Sequence, residues 1–241
     1  SYLILLRGDD SSCEWYDDPS SQVAGTLPAQ KMPRLTRTDY VSNSNDSYWL
    51  SNADAPLEGY SPVIGAERTM RSLRTRAGLT QLAELRAQKQ KLALQDLQGM
   101  LYNQRNYGAE LLLDDVLQLC EDDAELQAVC RALQNWDRTM LVDAKGGHVW
   151  REFWRDARRI DGLYAEAFDV ADPMHTPTGI NITNVEVRAQ LKQALLGAAK
   201  RLGDANIPLD ARLGDIQYAQ RNGTNIPIPG GEGWAGMFSM I

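Results

Sequence analysis

The first sixty residues of this chain carry no apolar repeat. Residues 1–60 are rich in Asp, Ser, Asn and Pro, with turn signals at Asp17-Asp18-Pro19, Leu27-Pro28 and Met32-Pro33. An irregular stretch of that length is uncommon inside a compact domain, because its backbone polar groups need partners that a helix or sheet would otherwise supply. Such a segment is expected to lie across something larger. Residues 2–6 (YLILL) are the exception and read as a strand or the stub of one. They start too abruptly for a signal peptide.

Helical periodicity follows. One helix is expected over 79–104, with Thr80 as its N-cap and Leu82, Leu85, Leu92, Leu97 and Leu101 keeping apolar contact. Further helices are expected at 107–119, 122–135 (capped by Asp122 or Asp123) and 148–159, after the Gly146-Gly147 break. A loop is marked by Asp172-Pro173 and Thr176-Pro177. A long amphipathic helix covers 184–203, with Val185, Val187, Leu191, Ala194, Leu195, Ala198 and Leu202 recurring and Gly203 as its stop. The end changes character: residues 213–219 and 225–228 read as strands around Asn222-Gly223, a hairpin turn. The division is thus an irregular, site-lining segment at 1–76, a helical region at 77–205 and strands at 206–241. Read alone the chain is α+β and mostly α. Unpaired strands at its end would leave sheet edges exposed, so it is expected to associate with a partner.

Of the 241 residues, 43% are hydrophobic and 24% charged, enough for a buried core. The net charge of −7 argues against a non-specific nucleic-acid binder. No apolar run approaches the roughly 18–20 residues of a membrane-spanning helix. Cys120 and Cys130 would be about 15 Å apart on one straight helix, too far for a disulfide. Either the chain turns at Glu121-Asp122-Asp123 and they bridge, or both are buried thiols. Cys13 is then odd, free or paired elsewhere. His148 and His175 lack metal-ligand spacing and read as packed or surface residues. Gly230-Gly231-Glu232-Gly233 lacks the Lys-Ser/Thr of a phosphate loop and reads as a turn between strands. Arg68, Arg71, Arg74 and Arg76 read as a solvated or ion-paired face. Trp136, Trp150 and Trp154 fall on helical faces and belong to the core. Ser1 invites attention, since an N-terminal serine can use its own amine as base.

Five strings carry a resemblance: DYVSNSNDS at 39–47 followed by Trp49-Leu50, PLEGYSP at 56–62, RSLRTR at 71–76, LQNWD at 133–137 and IPIPGGEG at 226–233. In order and spacing they resemble the second half of the large subunit of the penicillin acylase family, N-terminal-nucleophile hydrolases, in the acyl-homoserine-lactone acylase branch. The segment from Cys13 to Trp15, followed by Pro28 and Pro33, fits the same branch. The resemblance covers nearly the whole chain and is strongest in 13–76 and 210–241.

That resemblance implies an αββα sandwich, of which this chain would carry mainly helical additions. Because Ser1 is followed by Tyr2 and lies close to the Cys13 segment, it implies that Ser1 is a cut end and that the nucleophile lies upstream. It places Asn45 as the side-chain amide that donates to the oxyanion, and Arg74 as the arginine that orients this asparagine and keeps the nucleophile's amine unprotonated, with Arg76 as the rival position. Asn43 and Asp46 would shape the loop. The implied reaction cleaves the amide of N-acyl-homoserine lactones to fatty acid and homoserine lactone, with no cofactor and no metal cluster in this chain. The alternatives are a penicillin or cyclic-lipopeptide acylase of the same family and a catalytically inert structural fragment. The partners implied are a small α subunit and the N-terminal part of the β subunit, in the periplasm or outside the cell, with no nucleic acid and no membrane.

Overall fold

A computed structural model describes residues 7–13, 17–89, 91–120 and 123–239. Ser1, the strand expected at 2–6, Trp15, and Glu121 and Asp122 of the expected turn lie outside the described residues. The chain divides into two units, residues 1–69 and 70–241.

In the first unit the described residues hold three 3-10 turns, Ser11–Cys13, Ala29–Lys31 and Tyr48–Leu50, and otherwise irregular backbone. Side chains replace the missing ladders. Asn52, fully buried, donates to the Tyr40 carbonyl (2.9 Å), and Ala53 N–H donates to the Tyr40 hydroxyl (2.9 Å). The backbone closes on itself where Ser42 N–H meets the Ser51 carbonyl (2.7 Å) and Leu57 N–H meets that of Trp49 (3.0 Å). Cys13 makes no disulfide among the described residues.

The second unit begins with α1, Leu73–Gln88, earlier than periodicity predicts. Ser72 Oγ accepts from Thr75 N–H (3.1 Å) and caps it, so Thr80 is interior. The single helix expected over 79–104 is instead two. Beyond Gln88 the polar run offers no face for the core, and α2, Leu94–Tyr102, restarts where Asp96 accepts from Ala93 N–H (2.8 Å). α3, Tyr107–Gln118, is capped by Asn106 and buries Ala109, Leu112, Leu113 and Val116. α4 spans Gln127–Gln134 and starts later than expected. Asp123 does not cap it; its carboxylate accepts from Glu125 N–H (3.0 Å) and pairs with Lys192 (2.7 Å). The connection between α3 and α4 brings Cys120 and Cys130 to a Cα separation of 6.0 Å, and they form a disulfide. One of the two readings left open by their spacing is thereby settled.

α5, Gly147–Ala157, follows Gly146, whose φ of 101° only glycine adopts at ease. A Cβ there would sit 2.7 Å from the Ala132 carbonyl and the Trp136 Cβ. This close approach lets the fully buried Trp150 lie 6.2 Å from Trp136 and stack on Trp154 (5.6 Å, 8°). Two short strands, β1 (Tyr164–Glu166) and β2 (Thr178–Ile180), pair antiparallel and flank the expected loop at 172–177. α6, Val185–Asp204, is capped by Asn184, whose side chain accepts from Glu186 and Val187 N–H. It packs Val187, Leu191, Ala194, Leu195, Ala198 and Leu202 inward, while Val185 is exposed. Gly203 is not the stop: it lies inside α6, and Asn206 takes the left-handed backbone beyond it. Arg201 ties α6 to α5 through Glu152 (2.8 Å) and Asp156 (2.9 Å).

Near the end, α7 (Leu213–Ile216) is one helical turn where a strand was expected, with Leu213 buried in the core. β3 (Tyr218–Arg221) and β4 (Thr224–Pro227) form the expected hairpin, with Asn222 and Gly223 both at positive φ. The glycine-rich string after it is not a turn between strands. Gly230 N–H donates to the Met140 carbonyl (2.9 Å) and the chain enters a 3-10 turn, Gly233–Ala235. The described residues are thus α+β and mostly helical, as expected, and none of their helices is long and apolar enough to cross a membrane.

Two buried polar side chains fix this unit. Arg76, 1% exposed, donates through Nε to the Met174 carbonyl (2.8 Å) and through Nη1 to that of Pro177 (2.9 Å), with its guanidinium 5.7 Å from the Tyr107 ring centre. His148, fully buried on α5, lies with Nε2 2.9 Å from the Pro208 carbonyl, the geometry of an Nε2–H donor. Burial is the main cause that pushes its pKa below 6.5.

Arg76→Ala should therefore destabilise the protein by about 2–5 kcal/mol, since two carbonyls lose their donor and a large side chain leaves a cavity; denaturant unfolding with an unchanged m-value checks it. The histidine makes stability depend on pH. The unfolded imidazole takes up protons below about 6.5 while the folded one resists, so its contribution is whole above that pH and is lost as pH falls. Unfolding free energies between pH 7.5 and 5 should fall less steeply in His148→Gln than in the parent.

Candidate active site

Asn45 sits on a loop built by its neighbours. Asn43 Oδ1 accepts from Asn45 N–H (2.8 Å), an Asx turn that turns the chain back on itself. Asn45 then takes φ 53°, a left-handed conformation that asparagine tolerates better than most residues. Asp46 Oδ1 accepts from Ser47 N–H (2.8 Å), and Ser47 Oγ accepts from Trp49 N–H (3.2 Å), capping the 3-10 turn Tyr48–Leu50. Trp49 and Leu50 are buried, whereas Asn45 is exposed. The loop therefore holds a neutral amide on a fixed, slightly strained backbone with its root in the interior. Asn43 and Asp46 shape that loop through their side chains.

Glu67 lies under the same loop and carries no sequence signal. One carboxylate oxygen accepts from the Tyr48 hydroxyl (2.5 Å) and Tyr60 N–H (2.9 Å), the other from Gly59 N–H (2.8 Å). These donors, the tyrosine hydroxyl foremost, hold Glu67 below its ordinary pKa. Burial and the same contact push the Tyr48 hydroxyl well above its own. Trp49 Nε1 donates to Glu58 (2.8 Å), which also pairs with Arg68 (3.2 Å).

Arg74 belongs to the second unit. It is the second residue of α1, half-buried, in the turn that Ser72 caps. Of the four arginines expected to be solvated or ion-paired, Arg68 pairs with Glu58, Arg71 and Arg76 are buried, and Arg74 of the α1 pair keeps partial exposure. The rival, Arg76, is committed to the carbonyls of Met174 and Pro177. His148 is packed, and His175 is exposed and pairs with Asp172 (2.6 Å). Among the described residues no three His, Cys, Asp or Glu side chains converge as a metal ion requires.

A family model for penicillin amidase matches residues 1–237. The chain is similar to the acyl-homoserine lactone acylase PvdQ of Pseudomonas fluorescens, 34% identical over 245 residues, covering 99% of this chain and 31% of that protein. The corresponding protein of Pseudomonas syringae pv. syringae is 34% identical with the same coverage. Aculeacin-A acylase of Actinoplanes utahensis is 36% identical over 259 residues, 98% of this chain and 31% of that protein. The chain thus spans about a third of the length of these curated relatives. With the match running from one end of the sequence almost to the other, the chain belongs to the penicillin amidase family.

Proposed function

We propose that residues 1–241 are part of an acylase that hydrolyses the amide of N-acyl-homoserine lactones, in which Asn45 is the side-chain oxyanion donor. The observation that carries this reading is the Asn45 loop: an exposed amide on a backbone held by the Asn43 side chain, in a chain 34% identical to acyl-homoserine lactone acylases. A neutral donor already fixed in place costs no reorganisation when negative charge develops on the attacked oxygen.

The chemistry proposed is that of an N-terminal-nucleophile hydrolase. A serine hydroxyl, outside these residues, attacks the amide carbon, and the serine's own amine takes the proton. The tetrahedral oxyanion accepts a hydrogen bond from Asn45. The C–N bond breaks, the amine returns the proton to the departing homoserine lactone, and an acyl ester remains. Water then releases the fatty acid. Arg74 supplies positive charge that keeps the amine deprotonated; the burial of Arg76 against backbone carbonyls favours Arg74 for this role. No cofactor takes part. The partners are a small α subunit and the N-terminal part of the β subunit, without which these residues are inert. The Cys120–Cys130 disulfide supports a periplasmic or secreted location, where such bonds persist.

A second reading is acylase action on a cyclic lipopeptide, favoured by the 36% identity to aculeacin-A acylase. Both reactions share the oxyanion and differ in the leaving amine, so an assay for free homoserine lactone against one for deacylated lipopeptide separates them.

In the complete acylase, Asn45→Ala should lower kcat about 10²–10³-fold with only a small fall in the unfolding midpoint, the cost of alanine at a left-handed position; turnover close to the parent's would remove Asn45 from the mechanism. Arg74→Ala should move the acidic limb of the kcat/KM profile to higher pH, because the amine binds its proton more tightly once the neighbouring charge is gone. A limb that stays in place would assign Arg74 to structure alone.

A further inference from the structure

We infer that Glu67 is a positioning residue for the Asn45 loop, acting through Tyr48 as a brace from below. The inference rests on the role proposed for Asn45 and extends it to a residue with no sequence signal.

Three features converge. First, the Glu67 carboxylate collects the Tyr48 hydroxyl and the backbone N–H groups of Gly59 and Tyr60, joining three otherwise separate stretches of irregular chain. Hydrogen bonds to an ionised acceptor are roughly twice as strong as neutral ones. Second, the segment before Glu67 touches the loop itself. A Cβ added at Gly65 would lie 3.2 Å from both Ser47 Oγ and the Tyr48 ring, a tight contact that shows how closely the backbone here approaches the loop. Third, Tyr48 and Tyr60 meet edge to face with ring centres 5.4 Å apart, which leaves the Tyr48 ring little freedom to swing once its hydroxyl is held.

The stretch after the loop has its own anchors: Trp49 on Glu58, Leu50 buried, and Asn52 on Tyr40. Within residues 45–48, Asn45 N–H is held by Asn43, Ser47 Oγ caps the turn and the Tyr48 hydroxyl is held by Glu67. Because Ser47 caps the turn that begins with Tyr48, a shift of the Tyr48 ring is passed through Ser47 to Asp46 and Asn45. A misplacement of about 1 Å at a catalytic group can cost on the order of 10²-fold in rate.

The test compares Glu67→Gln, Glu67→Asp and Tyr48→Phe in the complete acylase, alone and with Asn45→Ala. Glu67→Gln is expected to lower kcat about tenfold or more with KM changed less than about twofold, Tyr48→Phe to lower it less, and Glu67→Asp to recover part of the loss. In the Asn45→Ala background, Glu67→Gln should cause no further drop, since the group it positions is gone. An equal drop in both backgrounds, or unchanged turnover in Glu67→Gln, overturns the inference. A crystal structure of Glu67→Gln decides the brace independently of the role of Asn45. Residues 45–48 should be displaced, and a loop that superimposes on the parent sinks the brace even if Asn45→Ala is inactive. A displaced loop with Asn45→Ala fully active keeps the brace as geometry and overturns the oxyanion reading and, with it, the catalytic consequence of Glu67.

Discussion

A guanidinium buried against backbone carbonyls organises the start of the second unit. Arg76 reaches from the first turns of α1 to the loop between β1 and β2 and lies over Tyr107 at the start of α3. A charge in that position is tolerated only when several acceptors converge on it, so three segments far apart in sequence are committed to one arrangement. The half-buried Arg74, two residues earlier, inherits its place from that commitment. α1 cannot rotate or slide without stripping donors from the Met174 and Pro177 carbonyls.

The two units hold themselves together by different means. In the second, α3, α4, α5 and α6 bury one continuous apolar core around the Trp150–Trp154 stack, with ion pairs from Arg201 and Lys192 on its surface. In the first, the described backbone forms no sheet, and polar side chains take over: Asn52, Tyr40, Glu58 and Glu67 each bond to groups from distant positions. A loop held by side-chain hydrogen bonds can present an amide such as Asn45 at a strained φ that a regular ladder would not permit.

Sequence alone determined the amphipathic helices and the hairpin. α6 and α3 show their apolar faces at helical spacing, and Asn222-Gly223 dictates a two-residue turn, because these patterns are local. The family was legible too, through the resemblance carried by strings such as residues 39–47 and 226–233 rather than through any local rule. Tertiary structure decided the rest. Whether Cys120 meets Cys130, where the helix expected at 79–104 breaks, and that 213–216 is helical all depend on which side chains find a buried partner. Glu67 is the clearest case. Nothing in its neighbourhood of sequence marks it, and it matters only because folding brings Tyr48, Gly59 and Tyr60 to one carboxylate. Local pattern is set by near neighbours along the chain, whereas a buried hydrogen bond is set by whatever the closed chain brings within about 3 Å.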